Sequence, residues 1–282
     1  MADNYLERRM DDLRNGRLHK SSSPRHTVTS AAGLFGKYPP RRVLVTGGAN
    51  GIGLEIARTF ARAGCKVAVI DIDAVAGQRL AANEGIRFCQ ADVADPRALE
   101  AAMDNVLLAW HDIDIIVSNA GIFRQLPVEG GSADIFDNTI DVNLRPAYLM
   151  ACKWAEWRKG LPYPNPYGGR MVLISSTRHL QSETGTECYS ASKGGVAALT
   201  HALMMSLAEW RITVNCISPG WIHTGDESEL TQADAAQHPS RRVGRPSDVA
   251  RLALFLTLPD NDFINGADIP VDGGMTRRMI YV

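Results

Sequence analysis

The sequence has no CxxC pair, no long apolar run and almost no net charge, and each absence excludes a class of protein. Its five cysteines are odd in number and scattered, which argues against a zinc site or a disulfide framework and favours a reducing compartment. With 30 basic and 31 acidic residues, the chain implies no broad basic surface for nucleic acid. Because no apolar run approaches the roughly 18 residues of a membrane span, we expect no membrane partner.

The amino-terminal 40 residues differ in pattern from the rest of the chain. Leu6, Met10 and Leu13 recur at helical spacing, and a polar stretch that ends in two prolines follows them. The segment lacks the apolar stretch of a signal peptide, and its early acidic residues are atypical of a mitochondrial presequence. We therefore predict an arm or linker over residues 1–40, a folded domain over 41–282 and a cytoplasmic protein.

From residue 41 onward, short β-branched runs alternate with helical patterns. The predicted strands cover 42–46, 66–71, 86–92, 114–121 with its turn, 170–176, 212–218 and 267–274. The predicted helices cover 53–64, 73–85, 96–110, a long stretch at 131–159, 187–208 and 246–257. Strands that alternate with helices of about 12 residues are typical of βαβ units. The pattern predicts an α/β fold: a single-domain, Rossmann-type, doubly wound, seven-stranded parallel sheet flanked by helices.

The first strand runs into a glycine-rich turn, TGGANGIG (46–53), that opens the first helix. Such a helix start offers unpaired N–H groups and the positive end of the helix dipole to a pyrophosphate. Gly47 allows the tight turn, Gly51 lets the backbone approach phosphates, and Gly53 permits close helix–strand packing. A plain strand–helix turn is the alternative, but the strand before and the helix after favour nucleotide binding.

An acidic residue, Asp71, closes the second strand 18 positions beyond Gly53. A carboxylate there accepts hydrogen bonds from the adenosine ribose hydroxyls and repels a 2′-phosphate. Asn50 in the turn supplies no cation that would offset this repulsion, so we expect NAD as the cofactor rather than NADP. The alternative interpretation, a helix-capping aspartate, fits Asp73 better than Asp71. Asp92 ends the third strand and is a weaker candidate for a contact with the adenine amine.

Tyr189 and Lys193 stand four residues apart on a predicted helix and therefore share one face. A free phenol, with a pKa of about 10, is a poor base at neutral pH, and a nearby ammonium stabilises the phenolate. The small residues around the pair would let a cofactor lie against the helix. Taken alone, a surface Tyr–Lys pair is the commoner explanation.

The glycine turn and YSASK (189–193), together with SNAG (118–121), Asn143, ISS (174–176) and SPGWIHT (218–224), resemble the classical short-chain dehydrogenases/reductases over about residues 41–275. The resemblance implies that Tyr189 is the general acid/base and that Lys193 lowers the phenol pKa and holds the nicotinamide ribose. Ser176 would hydrogen-bond the substrate oxygen; its spacing to Tyr189 favours it over Ser175. Asn143 would position a proton-relaying water, with a buried Asn paired to backbone as the alternative.

The turn, the two acids and the resemblance together give one predicted cofactor-binding set. It comprises Gly47, Asn50, Gly51, Ile52, Gly53, Asp71, Ile72, Asp92, Val93, Asn119, Ala120, Gly121, Tyr189, Lys193, Pro219, Gly220, Ile222 and Thr224. These positions fall at the carboxyl ends of strands, where open parallel sheets bind ligands.

The residues that follow the fourth, fifth and sixth strands supply the candidates for substrate contact. They are Phe123, Arg124, Arg178, His179, Gln181, Glu183, Trp221 and His223. This polar set suits a small polyol, sugar or hydroxy acid, and its two histidines are isolated, so we expect no metal. The charged segment 225–243 is predicted to be a mobile lid, and the role of the Pro-rich loop 160–169 is open.

The sequence thus favours an NAD-dependent oxidoreductase that acts on a small polar secondary alcohol or ketone. The alternative within the enzyme class is a 3-oxoacyl-thioester reductase, because HPSRRVGRPSDVA and DGGM also resemble that branch. An NAD-sensing regulator or scaffold is the alternative of another class. The resemblance also implies a homotetramer.

Overall fold

Seven parallel strands form one sheet in the computed structural model, which describes residues 38–162 and 164–279. The strands are β1 (Arg42–Thr46), β2 (Lys66–Asp71), β3 (Arg87–Gln90), β4 (Ile115–Ser118), β5 (Gly169–Ile174), β6 (Ile212–Pro219) and β7 (Asp268–Val271). Their order is β3-β2-β1-β4-β5-β6-β7, with every pair parallel. The order reverses between β1 and β4, which opens a crevice at the carboxyl ends of the strands. The predicted doubly wound fold is confirmed.

Helices connect the strands and cover both faces of the sheet. They are α1 (Gly51–Arg62), α2 (Ala74–Glu84), α3 (Pro96–Trp110), α4 (Ala133–Asn143), α5 (Arg145–Lys159), α6 (Glu187–Ser206), α7 (Gln232–Ala236) and α8 (Pro246–Leu256). Their starts follow from local chemistry: the side chains of Asp73, Asp95 and Ser132 accept backbone N–H groups of the first turns of α2, α3 and α4. The carboxyl-terminal end of α2 is closed by Gly85 in the left-handed conformation.

The region 131–159, which the pattern predicts as one helical stretch, consists of two helices that meet at Leu144. Pro146 lies in the first turn of α5, where its missing N–H costs nothing, whereas a continuous helix would place its ring against the carbonyl of Val142. The helix is therefore interrupted after Asn143, which becomes the last residue of α4. The interruption places this asparagine beside the carboxyl ends of β4 and β5.

The core lies between the sheet and its helices. Trp154 of α5 is fully buried and donates its indole N–H to the carbonyl of Ile113 at 3.2 Å. Phe60 of α1 and Leu44 of β1 are fully buried as well. Each such side chain contributes about 2–3 kcal/mol of transfer free energy, so the central strands are fixed firmly enough to position groups at their ends.

The Pro-rich loop between α5 and β5, whose role the sequence leaves open, closes the amino-terminal end of the sheet. The side-chain amide of Asn165 donates to Asp112 at 2.8 Å and to Asp114 at 2.9 Å. The ring of Tyr167 lies beneath the guanidinium of Arg41 at 3.7 Å, and its hydroxyl donates to the carbonyl of Thr257 at 2.5 Å. The loop therefore satisfies buried charges far from the crevice.

The arm predicted for residues 1–40 lies outside the described residues up to Lys37. Tyr38, within the last part of that predicted segment, belongs to the folded domain, since it is buried against Phe60 and hydrogen-bonds Thr257. Across the described ranges, none of the helices combines the length and the apolar character that crossing a lipid bilayer requires.

Candidate active site

A cavity of about 670 Å³ opens at the carboxyl ends of the central strands. It brings together most of the predicted site. Its lining comprises Gly47, Asn50, Gly51, Ile52, Ile70, Asp71, Ile72, Ala91, Asp92, Val93, Asn119, Ala120, Gly121, Ile122, Phe123, Arg124, Asn138, Val142, Ile174, Ser175, Ser176, Tyr189, Lys193, Pro219, Gly220, Ile222 and Thr224. Of the predicted catalytic and cofactor-binding residues, Gly53 and Asn143 do not belong to this lining.

The start of α1 faces the cavity without a side-chain cap. Asn50 occupies the capping position, but its side-chain amide donates to Asp73 at 3.0 Å instead of closing the helix. The first-turn N–H groups therefore have no side-chain acceptor within the described residues. A Cβ on Gly53 would lie 2.0 Å from the carbonyl oxygen of Gly47, so only glycine permits this close cradle. The cradle fits a pyrophosphate group.

The glycine turn is held in place by the strand next to it. The hydroxyl of Thr46 accepts the backbone N–H groups of Asn119 and Ala120 at 3.0 and 3.2 Å. The side-chain amide of Asn119 donates to the carbonyls of Thr46 and Gly47, each at 3.0 Å. Asn119 thus lines the cavity while its amide group fixes the turn. Sequence reasoning missed Thr46, although a hydroxyl at a strand end was a usable signal.

Two carboxylates mark the end of the cavity nearest β2 and β3. Asp71 accepts the backbone N–H of Ala49 at 2.9 Å and that of Asp73 at 3.0 Å. Asp92 accepts the N–H of Ala94 at 2.9 Å. Ile72 and Val93 follow these acids and complete this part of the lining. The described lining holds no Lys or Arg at this end, so its charge is acidic.

The opposite end of the cavity carries Ser176 and Tyr189. Ser176 follows β5, and its hydroxyl accepts the N–H of Arg178 at 3.2 Å. The hydroxyl of Ser175 is used differently, since it donates to the backbone carbonyl of Lys193 at 2.8 Å inside the fold. The hydroxyl of Ser175 is thus engaged inside the fold, while Ser176 and Tyr189 line the same end of the cavity. The assignment of Ser176 as the substrate-binding serine stays a prediction.

The protein's own groups set the pKa of Tyr189 in a direction that the sequence does not predict. Burial raises the pKa of the phenol, while a hydrogen bond from Ser176 and the charge of Arg178 act to lower it. Lys193 lies with its ammonium 5.6 Å from the ring centroid and donates to the carbonyl of Ile174 at 2.8 Å. Burial lowers the pKa of Lys193 to about 8. Desolvation of the phenol therefore outweighs the lowering of its pKa by Ser176 and Arg178, and Lys193, from which we expected the lowering, is not among the groups that shift it.

Asn143 uses its side chain on the backbone of the segment that follows β4. Its carbonyl oxygen accepts the N–H of Ile122 at 2.8 Å, and its amide donates to the carbonyl of Ile122 and to Ser192, both at 3.0 Å. These contacts match the alternative interpretation of a buried Asn paired to backbone. A Cβ on Gly121 would lie 3.3 Å from the Asn143 oxygen and 3.5 Å from the Lys193 ammonium, so both groups flank this glycine.

Of the eight predicted substrate contacts, the structure brings only Phe123 and Arg124 to the cavity lining. Phe123 packs edge-on against the ring of Tyr189, with 5.0 Å between the ring centroids. Arg124 is exposed and has no acidic partner among the described residues. Asn138 and Val142 also line this end, and sequence reasoning missed them. They stand four residues apart on α4, a spacing that could have indicated a shared face.

The other six predicted substrate contacts do not line the cavity and have partners or neighbours of their own. Arg178 pairs with Glu183 at 2.8 Å, and the Nε2 atom of His179 lies 2.7 Å from a carboxylate oxygen of Asp268. The other three also have contacts of their own: Gln181 donates to the carbonyl of Thr276, Trp221 lies beside His238, and His223 contacts the carbonyl of Asp226. Contacts within the same loop or with distant segments therefore hold these side chains outside the cavity lining.

The described residues contain no group of three or more His, Cys, Asp or Glu side chains that could hold a metal ion. Within the predicted lid, residues 227–229 form a short 3₁₀ helix and 232–236 form α7. Ile222 and Thr224, just before this segment, contribute to the cavity lining. Whether the segment moves over the site stays a prediction.

Comparisons with known proteins agree with this geometry. A family model described as "Enoyl-(Acyl carrier protein) reductase" matches residues 47–276. An uncharacterized oxidoreductase of Thermotoga maritima is 38% identical over 254 residues, which cover 84% of this chain and 96% of that protein. The 3-oxoacyl-[acyl-carrier-protein] reductase FabG of Chlamydia trachomatis is 32% identical over 83% of this chain and 97% of its own length.

A solved structure of an apo SCOR enzyme from Clostridium thermocellum superposes with a TM-score of 0.78 at 39% identity, covering 86% of this chain and 95% of that one. The residues that the family model matches include Gly47–Gly53 of the glycine turn, strands β2 to β7 and the Ser176–Tyr189 end of the cavity. The chain therefore belongs to the classical short-chain dehydrogenase/reductase family and is an oxidoreductase of that family.

Proposed function

We propose that the protein transfers hydride between NAD and a small polar secondary alcohol or its ketone. One observation carries this proposal: a single cavity joins the uncapped start of α1 and the Asp71 carboxylate to the hydroxyls of Ser176 and Tyr189. The first pair suits a dinucleotide, and the second suits an alcohol whose proton must move. The family uses nicotinamide cofactors, which supply the hydride acceptor or donor when bound.

Four side chains of the protein would move the proton and position the reacting groups. In the oxidative direction, Tyr189 removes the proton of the substrate hydroxyl, and Ser176 donates a hydrogen bond to the same oxygen. Lys193 brings a positive charge close to the Tyr189 ring and would hold the nicotinamide ribose. A bound cofactor cation would add to that charge and offset the effect of burial on the phenol pKa. Asn143 keeps the segment after β4 beside the Lys193 ammonium.

The charge at the adenosine end supports NAD over NADP. Asp71 and Asp92 are the charged residues of the described lining there, and each keeps a carboxylate oxygen near the end of its strand. A 2′-phosphate would meet these acids with no Lys or Arg of the described lining to compensate. Asp71 also accepts the backbone N–H of Ala49 in the glycine turn, so the same carboxylate helps to fix the backbone that would bind the phosphates.

A second candidate is the reduction of a 3-oxoacyl thioester. The resemblance to the FabG protein of Chlamydia trachomatis favours it, because the same proton-transfer residues would serve that reaction. Asp71 stands against it to the extent that such a reductase prefers NADPH. An NAD-sensing regulator would need the dinucleotide site alone, and the presence of Ser176, Tyr189 and Lys193 in one cavity speaks against it. A homotetramer and a cytoplasmic location remain predictions from the sequence.

To test this proposal, purified protein is incubated with a panel of alcohols, and formation of the reduced cofactor is measured. Polyols, sugars, hydroxy acids and 3-hydroxyacyl thioesters are offered with NAD and, separately, with NADP; Tyr189→Phe is the matched variant. We expect NAD-linked turnover that falls by about 10²- to 10⁴-fold in Tyr189→Phe. Preference for the thioesters with NADP would select the second candidate. Tight NAD binding without any turnover would favour the regulator.

A further inference from the structure

The charged groups of the cavity are divided between its two ends. The acids, Asp71 and Asp92, lie at the adenosine end, whereas Arg124 and Lys193 lie near Tyr189. No Asp or Glu of the described lining faces the Tyr189 end. A substrate in that half of the cavity therefore meets a positive potential, which favours an anionic group over a neutral one.

Of the two cations, Arg124 is the one that can bind a substrate group directly. The Lys193 side chain is only 3% exposed and its ammonium donates to the carbonyl of Ile174. Arg178 lies close by but is paired with Glu183 at 2.8 Å. Arg124 is exposed, lines the cavity and has no acidic partner among the described residues.

The backbone on both sides of Arg124 is anchored. On the amino-terminal side, Asn143 holds both the N–H and the carbonyl of Ile122. On the carboxyl-terminal side, the side-chain amide of Gln125 donates to the backbone carbonyl of Thr184 at 2.9 Å. The next residue along continues the anchoring, since the N–H of Leu126 donates to the carbonyl of Gly185 at 3.0 Å. A side chain on a segment held at both ends loses little further backbone freedom when it binds a ligand.

In sequence, Arg124 is next to a residue that contacts Tyr189. It directly follows Phe123, whose ring touches that of Tyr189. The planar guanidinium offers paired N–H donors that match the two oxygens of a carboxylate. Building on the proposed function, we propose that Arg124 binds the carboxylate of the substrate, so that the substrate is a hydroxy acid or oxo acid rather than a neutral alcohol.

Matched pairs of substrates, with and without a carboxylate, test this assignment. Gluconate is compared with glucitol, and 3-hydroxybutyrate with 2-butanol, using wild type, Arg124→Gln and Arg124→Lys. In Arg124→Gln we expect KM for the acids to rise about 10- to 100-fold with kcat changed far less, and the neutral partners to be unaffected. Arg124→Lys should recover part of the loss. Arg97→Gln, an exposed arginine on α3 outside the cavity, is the control.

Several results would overturn the assignment. Equal effects of Arg124→Gln on acids and neutral partners would show that the guanidinium does not bind the carboxylate. Wild-type preference for glycerol 3-phosphate over both acids would replace the carboxylate with a phosphate. Preference for glucitol or 2-butanol would leave the oxidoreductase proposal intact and remove this one.

A binding measurement separates this inference from the proposed function. Calorimetry follows the binding of gluconate and 3-hydroxybutyrate to the protein saturated with NADH, whether or not turnover is seen. Binding that weakens at least 10-fold in Arg124→Gln supports the inference even where no hydride transfer is detected. Equal affinity in wild type and Arg124→Gln, or no binding of either acid to wild type, contradicts it.

Discussion

The two ends of the sheet use polar groups in opposite ways. At the amino ends of the strands, Arg42 lies 2.7 Å from Asp114, and Arg158 lies 3.2 Å from Asp112. The amide of Asn165 donates to both of these carboxylates and completes the network. At the carboxyl ends, an uncapped helix start, two carboxylates and two hydroxyls face an open cavity instead.

The comparison separates polar groups that have partners within the folded protein from polar groups that remain available to a ligand. Buried charges are stable only when they are paired and hydrogen-bonded, and the four charged side chains of this network meet that condition within the protein. Groups that keep unused donors and acceptors in a cavity are suited to a ligand. Substitutions at the amino end should therefore reduce stability, and substitutions at the carboxyl end should change binding and turnover.

The largest expected effect on stability lies at the amino end. Arg158→Met removes the nearer of two cations beside Asp112, whose side chain is almost fully buried, and leaves Arg42 at 3.5 Å. This change should lower the free energy of unfolding by about 3 kcal/mol. Urea unfolding measures this change, and turnover per folded molecule should stay at the wild-type value. Adding Asp112→Asn should recover part of the loss because no unpaired charge remains. A loss below about 1 kcal/mol would contradict a structural role for this pair.

Lys193 is the exception at the carboxyl end, because its ammonium is buried without an acidic partner among the described residues, which lowers stability. Burial lowers its pKa from 10.5 to about 8, so below pH 8 the folded protein carries a buried charge that costs more free energy than the same charge in the unfolded chain. Lys193→Met should therefore be more stable than wild type at pH 7, by about 3 kcal/mol. The unfolded chain binds the extra proton between about pH 8 and 10.5, so the advantage should disappear as pH rises through that window.

Unfolding free energies of both proteins at a series of pH values check this prediction. Turnover by Lys193→Met should be lost throughout the series, which separates stability from function. A stability difference between the two proteins that does not change between pH 7 and pH 10 would show that burial does not depress the pKa of Lys193.

Substitution of Asp71 tests whether the acidic end of the cavity selects NAD over NADP. Asp71→Ser keeps a hydroxyl near Ala49 but removes the charge, and the ratio of NADH to NADPH affinity should fall by about 10- to 100-fold. Fluorescence titration with both reduced cofactors measures the ratio. Asp92→Asn is the matched control, for which we expect a smaller change. An unchanged ratio in Asp71→Ser would remove the basis for preferring NAD.

The smallest expected effect concerns Arg178, whose charge acts to lower the pKa of Tyr189. Arg178→Gln should raise that pKa only slightly, because Glu183 already offsets part of the charge. The rising limb of the pH–rate profile should move to higher pH accordingly. A phenolate absorbance titration, taken as the difference from Tyr189→Phe, gives the same quantity without turnover. Arg178→Lys should restore the wild-type value; an unmoved or lowered pKa in Arg178→Gln would contradict the effect.

The fold was predictable because its signals are local. The strand at 42–46, the strand at 66–71 and the helix at 96–110 have the same bounds in the pattern and in the structure. The sequence analysis missed the interruption at Leu144 because it relied on the spacing of apolar residues. That spacing is similar whether Pro146 lies in the first turn of a new helix or inside one longer helix. The local effect of Pro146 on the preceding turn decides between them.

The sequence predicted the backbone positions of the site, but only part of its side-chain orientations. Positions in the glycine turn follow from chain geometry, whereas the orientation of a loop side chain depends on partners that the local sequence does not contain. His179 points toward Asp268 on another strand, and the Gln181 side chain donates to the carbonyl of Thr276. The direction of the Tyr189 pKa shift also required the structure, because burial of the phenol outweighs the lowering by Ser176 and Arg178.

Thermal unfolding in the presence of NADH tests the central claim most directly, namely that the unsatisfied groups at the carboxyl ends of the strands hold a dinucleotide. A ligand at about 100 times its Kd stabilises the folded state by about 2.7 kcal/mol, which raises Tm by several degrees. We expect this increase with NADH in wild type and in Arg158→Met, and a smaller one in Asp71→Ser. No increase in wild type with either NADH or NADPH would contradict the account.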